Sequence, residues 1–325
     1  EDQSEHYPVW IGEEGHKLYC DQVRLEQFLF TVLNYSEADA AKLSQSLARR
    51  LARGRSIDDF WSKASFRKTT TDVVRVLLRS IDPNSLPTLL GYQDKYGQTA
   101  LFQFAFYKRH EVVKLMLDSL ETEEERFNTL TITTKVSERT PLHISCWRSD
   151  IESVKAILDH VNPLQRYDLM KMQTINGNIP LHCAAYCGVT DMLKYLYQSV
   201  TKSQWDNLLH MDDHYGLTIL HKAAYGGVKT VMKVIKETVS NETFIKLVST
   251  PLPPWDRVKY ICRPEKYKQC TENWTVARIE EAIHTVNLQG RLELIRNIPT
   301  TYSQKLLYSV TVRDCVQYEN RLPQI

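Results

Sequence analysis

The chain has 325 residues, 42% of them hydrophobic and 25% charged, which excludes disorder as its main state. Forty-one basic residues against thirty-nine acidic ones leave a formal charge of +2, too little for a global field that would hold nucleic acid or anionic lipid. No apolar run approaches the roughly eighteen residues that span a bilayer, and seven scattered cysteines make no secreted disulfide framework, so the expected location is the reducing cytoplasm.

Residues 1–16 are polar and predict an N-terminal tail. Residues 17–56 predict a helical cap. Leu25, Phe28, Leu29, Val32 and Leu33 mark a first amphipathic helix. Ser36-Glu-Ala-Asp39 opens a second, Leu43, Leu47 and Leu51 continue it, and Gly54 ends it. A cap over the apolar flank of the adjoining segment is one expectation; a helical signalling module of the death-fold kind is the alternative.

From about residue 57 the chain repeats. Leu101, Leu142, Leu181 and Leu220 recur at spacings of 41, 39 and 39. A turn precedes each short helix, as at Asp94–Gly97, Asn176-Gly177 and Asp213–Gly216. A break such as Gly188 or Gly227 comes next. Then comes a second helix: EVVKLML from Glu111, ESVKAIL from Glu152, DMLKYLY from Asp191, TVMKVIK from Thr230. Its apolar positions form one buried stripe. Asp72–Leu78 lies 39 residues before Glu111–Leu117, which predicts an atypical copy over about 57–90, with Phe60 and Trp61 near its start. The acidic run Glu121–Glu125 reads as a solvated helix end.

Residues 249–275 interrupt the period and predict an insertion loop with four prolines, in which Arg257, Lys259 and Arg263 interleave with aromatics. A protein-contact loop, a lid on its own repeat and a grip for single-stranded nucleic acid all suit that composition. Beyond it, Gly290–Ile295 fits a second-helix start and puts Ile283-His284 at the Leu-His positions. The final "NRLPQI" reads as the opening of a further copy, with Pro323 aligned to Pro180, so the parent protein is expected to continue.

Thr140-Pro141-Leu142-His143, Pro180-Leu181-His182-x-Ala184-Ala185-x-x-Gly188 and Thr218-Ile219-Leu220-His221-Lys222-Ala223-Ala224-x-x-Gly227 resemble the ankyrin repeat in a slightly long form. The resemblance covers roughly 57–325. It implies an all-α solenoid of about six helix-turn-helix repeats, atypical at the start and truncated at the end. It further implies a non-enzymatic scaffold that holds a partner peptide or helix on a concave face, without cofactor or metal. The alternative is the cytosolic ankyrin region of a larger membrane channel or signalling protein.

His143, His182, His221 and His284 share one repeat offset. In the family that histidine bonds a nearby Thr hydroxyl and a neighbouring turn, a structural task. Cys183 and Cys187 could share a helix face, but no CxxC pair accompanies them, and no phosphate loop, GxSxG or HExxH is present. A thiol or metal enzyme is therefore a third reading without positive support.

The resemblance places offset +5 from each anchor leucine on the concave face. Here it reads Phe106, Trp147, Tyr186 and Tyr225, with Tyr107 and Arg148 at offset +6. Tyr96, Arg139, Asn176, His214 and Tyr215, at the turn tips, would flank that column. It is either a partner-binding strip, since Trp, Tyr and Arg dominate hot spots, or bulk that fills the space between neighbouring first helices.

Overall fold

The computed structural model describes residues 6–11, 16–21, 26, 27, 29, 36–52, 71–227, 229–259 and 262–285. The chain divides into two compact units, residues 1–181 with 198–201, and residues 182–197 with 202–325.

The first unit opens with a β-hairpin. β1 (His6–Ile11) and β2 (His16–Asp21) pair antiparallel, with Val9 opposite Leu18. This corrects the polar tail and a helical cap starting at residue 17. The signal was present in the aromatic and β-branched residues of HYPVWI, which suit a pleated strand. α1 (Glu37–Ala52) starts where Ser36 predicts it. Its Oγ accepts the Asp39 N–H at 3.2 Å and donates to the Asp39 carboxylate at 2.6 Å. Residues 53–70, with Phe60 and Trp61, lie outside the described residues, as does most of the predicted first helix, of which Leu29 is buried.

The repeats come next along the chain, and each copy that lies wholly within the described residues up to Ser249 has three helices rather than two. The atypical copy supplies α2 (Thr71–Arg79) and α3 (Leu86–Gly91). The next copy is α4 (Ala100–Phe106), α5 (His110–Asp118) and α6 (Glu123–Thr131). Then come α7 (Pro141–Trp147), α8 (Ile151–Asp159) and α9 (Pro163–Lys171). Inner helix α4 packs on α7, outer helix α5 on α8, and third helix α6 on α9. Leu101 and Leu142 are fully buried, as are Val112, Val113, Met116 and Leu117 of the α5 stripe.

The third helix accounts for the long period. Thr122 caps α6 and Asn162 caps α9, each in a reciprocal capping box with Glu125 or Gln165. The acidic run at 121–125 is thus the first turn of a helix, where carboxylates oppose the positive end of the dipole. One turn in, an arginine reaches back to the carbonyls that end the outer helix. Arg126 Nε donates to Leu117 O at 3.1 Å and its Nη2 to Leu120 O at 2.6 Å. Arg166 Nε donates to Leu158 O at 2.8 Å and to Val161 O at 3.2 Å. Carbonyls left over at a helix end are satisfied by the next helix.

The dividing line between the units falls within α10 (Pro180–Cys187). The second unit continues with α11 (Thr190–Gln198), α12 (Lys202–His210), α13 (Ile219–Gly226), α14 (Lys229–Thr238) and α15 (Asn241–Ser249). Trp205 is buried in α12 and donates through Nε1 to Thr238 Oγ1 at 3.1 Å. α13 approaches α10 very closely: a Cβ on Gly226 would lie 2.2 Å from the Tyr186 carbonyl oxygen, so only glycine fits there.

The predicted insertion loop is instead largely helical. α16 (Trp255–Val258) and the long α17 (Pro264–Thr285) occupy it. α17 packs on α13 as α7 packs on α4 and so serves as the next inner helix. Ile283 and His284 therefore end a helix rather than start one. Residues 286–325, including Gly290–Ile295 and "NRLPQI", lie outside the described residues.

Candidate protein-contact surface

The turns are built alike. Gly97 N–H closes onto Asp94 O at 2.8 Å, Gly177 onto Thr174 O at 2.7 Å, and Gly216 onto Asp213 O at 2.8 Å. Asp94 Oδ1 accepts the N–H groups of Tyr96 and Gln98, and Asp213 Oδ1 those of Tyr215 and Leu217. In the first unit successive turns also join each other. Lys135 N–H donates to Tyr96 O at 3.1 Å, and Ile175 N–H to Ser137 O at 3.2 Å.

The recurring histidine ties a turn to a helix start. Thr140 Oγ1 accepts the His143 N–H, while His143 Nδ1 accepts the Thr140 N–H at 3.2 Å. Because Nδ1 accepts a backbone N–H, the ring proton sits on Nε2, which donates to Asn178 O at 3.0 Å. Burial lowers the pKa of this imidazole to about 4, against the opposing pull of the Asn178 carbonyl. Thr218 and His221 form the same box in the second unit. There the imidazole faces Trp274 of α17 at 4.4 Å between ring centroids. His182 is buried as well. His143 and His221 thus lock the starts of α7 and α13.

The turn tips and inner helices of the first unit carry exposed apolar groups. Tyr96 is 54% exposed, with the Lys95 ammonium 5.0 Å from its ring centroid. Trp147 is 40% exposed, with the Arg139 guanidinium 5.4 Å from its ring. Arg148 lies 4.9 Å over half-buried Phe106 and donates Nε–H to the Phe106 carbonyl at 3.0 Å. Tyr107 meets Phe106 edge-on. Asn176 is exposed at its tip. Two tip residues escaped sequence reasoning: Val136 and Ile175, 75% and 50% exposed. Their signal was an aliphatic β-branched side chain at a turn position, where solvent normally selects a polar one.

Compared with family models, the chain matches Ankyrin repeats (3 copies) over residues 62–166 and 159–243, more than half of its length. The chain belongs to the ankyrin-repeat family. No curated protein matches it. An all-helical ankyrin array, preceded by the short β-hairpin, is thus its architecture.

In the second unit the ankyrin inner helices carry Tyr186 and Tyr225, whose rings lie 5.7 Å apart. The segment that includes α16 and the start of α17 packs onto this end. Leu217, Val258 and Cys262 form a buried cluster, against which Tyr215, Tyr225, Leu252 and Tyr267 pack. Tyr225 is hydrogen-bonded to the Cys262 side chain, and burial first, then that bond, pushes its phenol pKa upward. Tyr267 donates to Pro253 O at 3.0 Å. Tyr215 and Tyr225 are therefore partly covered by their own chain, while His214 stays exposed. Burial and the neighbouring Cys262 push the Cys270 thiol up to about 12, which makes it a poor nucleophile. Among the described residues no helix is long and apolar enough to cross a membrane.

Proposed function

We propose that this ankyrin chain is a non-enzymatic protein-binding scaffold whose first unit holds a partner on the turn tips and inner helices. Ankyrin repeats are modules of protein–protein interaction, and the chain belongs to them. The observation that supports this face is the exposure of Tyr96, Val136 and Ile175 on turns that are hydrogen-bonded to each other, with Trp147 exposed at the end of inner helix α7. Large apolar groups held on a rigid backbone lose little freedom on association, which favours capture. Tyr186 and Tyr225 serve instead to fill space between neighbouring helices, because each already packs on the other.

The test is Tyr96→Ala with Trp147→Ala, made in the full chain. Capture of a partner from lysate should fall at least tenfold while the thermal unfolding midpoint stays within a few degrees. Undiminished capture would overturn the assignment. A Tyr186→Ala and Tyr225→Ala pair should do the opposite and lower stability by about 3 kcal/mol or more, the range of large-to-small changes in a packed site.

A further inference from the structure

The proposed face is charged as well as apolar, and that narrows its partner. Lys95, Lys135, Arg139 and Arg148 lie among the exposed apolar groups. The carboxylates do not balance them. Asp94 Oδ1 turns inward to the N–H groups of its own turn, and Asp150 is buried, where it caps α8 through the Ser153 N–H. Among the described residues of these turns, Glu138 is the carboxylate left facing solvent. Three of the cations sit over aromatic rings, so their charge is held in place rather than waving on a free stem.

Spacing narrows it further. Neighbouring helices in such a stack lie about 8–10 Å apart, so one apolar tip recurs at about that distance. A polyproline-II strand rises about 3.1 Å per residue with three residues per turn, so every third side chain returns to one face after about 9 Å. A β-strand returns every second residue, at about 7 Å, and falls out of step.

Resting on the scaffold function, we infer that the first unit binds an extended acidic peptide with an apolar residue at every third position. The apolar residues lie between the Tyr96, Val136 and Ile175 tips, and the intervening Asp or Glu side chains meet Lys95, Lys135 and Arg139. Aliphatic tips favour this peptide over single-stranded nucleic acid, which would need ring faces for its bases where Val136 and Ile175 stand.

The experiment pans a phage-displayed random 12-residue library against the full chain and measures recovered peptides by fluorescence polarisation. Enrichment of Asp and Glu, with apolar residues at i, i+3 and i+6, is expected. Lys135→Glu with Arg139→Glu should weaken those peptides at least tenfold. Where that pair disturbs folding, Lys135→Gln with Arg139→Gln, or a salt titration from 50 to 500 mM on the wild type, must give a loss of the same order. Neutral or basic peptides, an alternate-residue spacing, no enriched peptide, or tighter binding of a twelve-nucleotide oligo-dT would overturn the inference. Any of those outcomes, found while Tyr96→Ala with Trp147→Ala still abolishes partner capture, would sink the peptide inference and leave the scaffold function standing. If that pair left both the capture and the peptides untouched, the scaffold function would fall with it.

Discussion

His143 shows how one side chain can set the pH range of an ankyrin copy. Its ring is wholly enclosed and stays neutral, because burial lowers its pKa from 6.5 to about 4. The unfolded chain therefore binds this proton more readily than the folded one. The stability it contributes is complete above pH 6.5 and declines as pH falls from 6.5 toward 4. Between pH 7 and pH 5 the loss from this one group is about 2 kcal/mol, by the usual 1.36 kcal/mol per pKa unit. Urea unfolding of wild type and His143→Gln at the two pH values isolates it. The wild type should lose about 2 kcal/mol more than the variant. Equal losses would mean that the ring is protonated in the fold, and that Nδ1 does not accept the Thr140 N–H.

At the scale of elements, the third helix separates this array from a plain helix-turn-helix repeat, and its anchor is an arginine. Arg166 closes the end of α8 with one Nε–H shared between the Leu158 and Val161 carbonyls. A charge-assisted bond to a neutral acceptor contributes about 1.5–3 kcal/mol, so Arg166→Ala should destabilise the chain by about 2–3 kcal/mol. Arg166→Lys should recover only part, since an ammonium at the tip of a flexible stem has no donor at the Nε position and orders more freedom per bond than the rigid guanidinium. Chemical denaturation of both variants checks the order. A loss below 0.5 kcal/mol for Arg166→Ala would show that water replaces the guanidinium.

The inner and outer helices were legible in the sequence because their apolar stripes recur with the anchor leucines. The third helices were not, because α6 and α9 are nearly evenly polar and bury only short patches, such as Leu169 and Met170. Their capping boxes were legible all the same: Thr122-x-x-Glu125 and Asn162-x-x-Gln165 stand 40 residues apart. The hairpin at the start was hidden by polar residues between its strands, and α17 by four prolines that read as a loop. For the surface, Trp147 and Tyr96 stood out as aromatics, while Val136 and Ile175 were too small to draw notice. Tyr225 looked equivalent to Trp147 by offset alone. Only the fold places Cys262 and its neighbours over it.

For the whole molecule, the open question is how far a local loss travels. In a repeat protein each copy leans on its nearest neighbours, so stability is close to a sum of local terms. The chain divides into two compact units, which sharpens that expectation. Trp274 tests it. The residue is 3% exposed, stacks near His221, and sits beside Asn273, whose amide donates to the Ala224 carbonyl at 2.8 Å. Trp274→Ala removes a large buried ring and should cost about 3–5 kcal/mol. Hydrogen exchange shows where that cost lands. Amides of α13 and α17 should exchange at least tenfold faster, while those of α4, α5, α7 and α8 keep their protection. Equal acceleration in both units would mean that they unfold as one body, and a loss at Trp274 would then reach the Tyr96–Trp147 face.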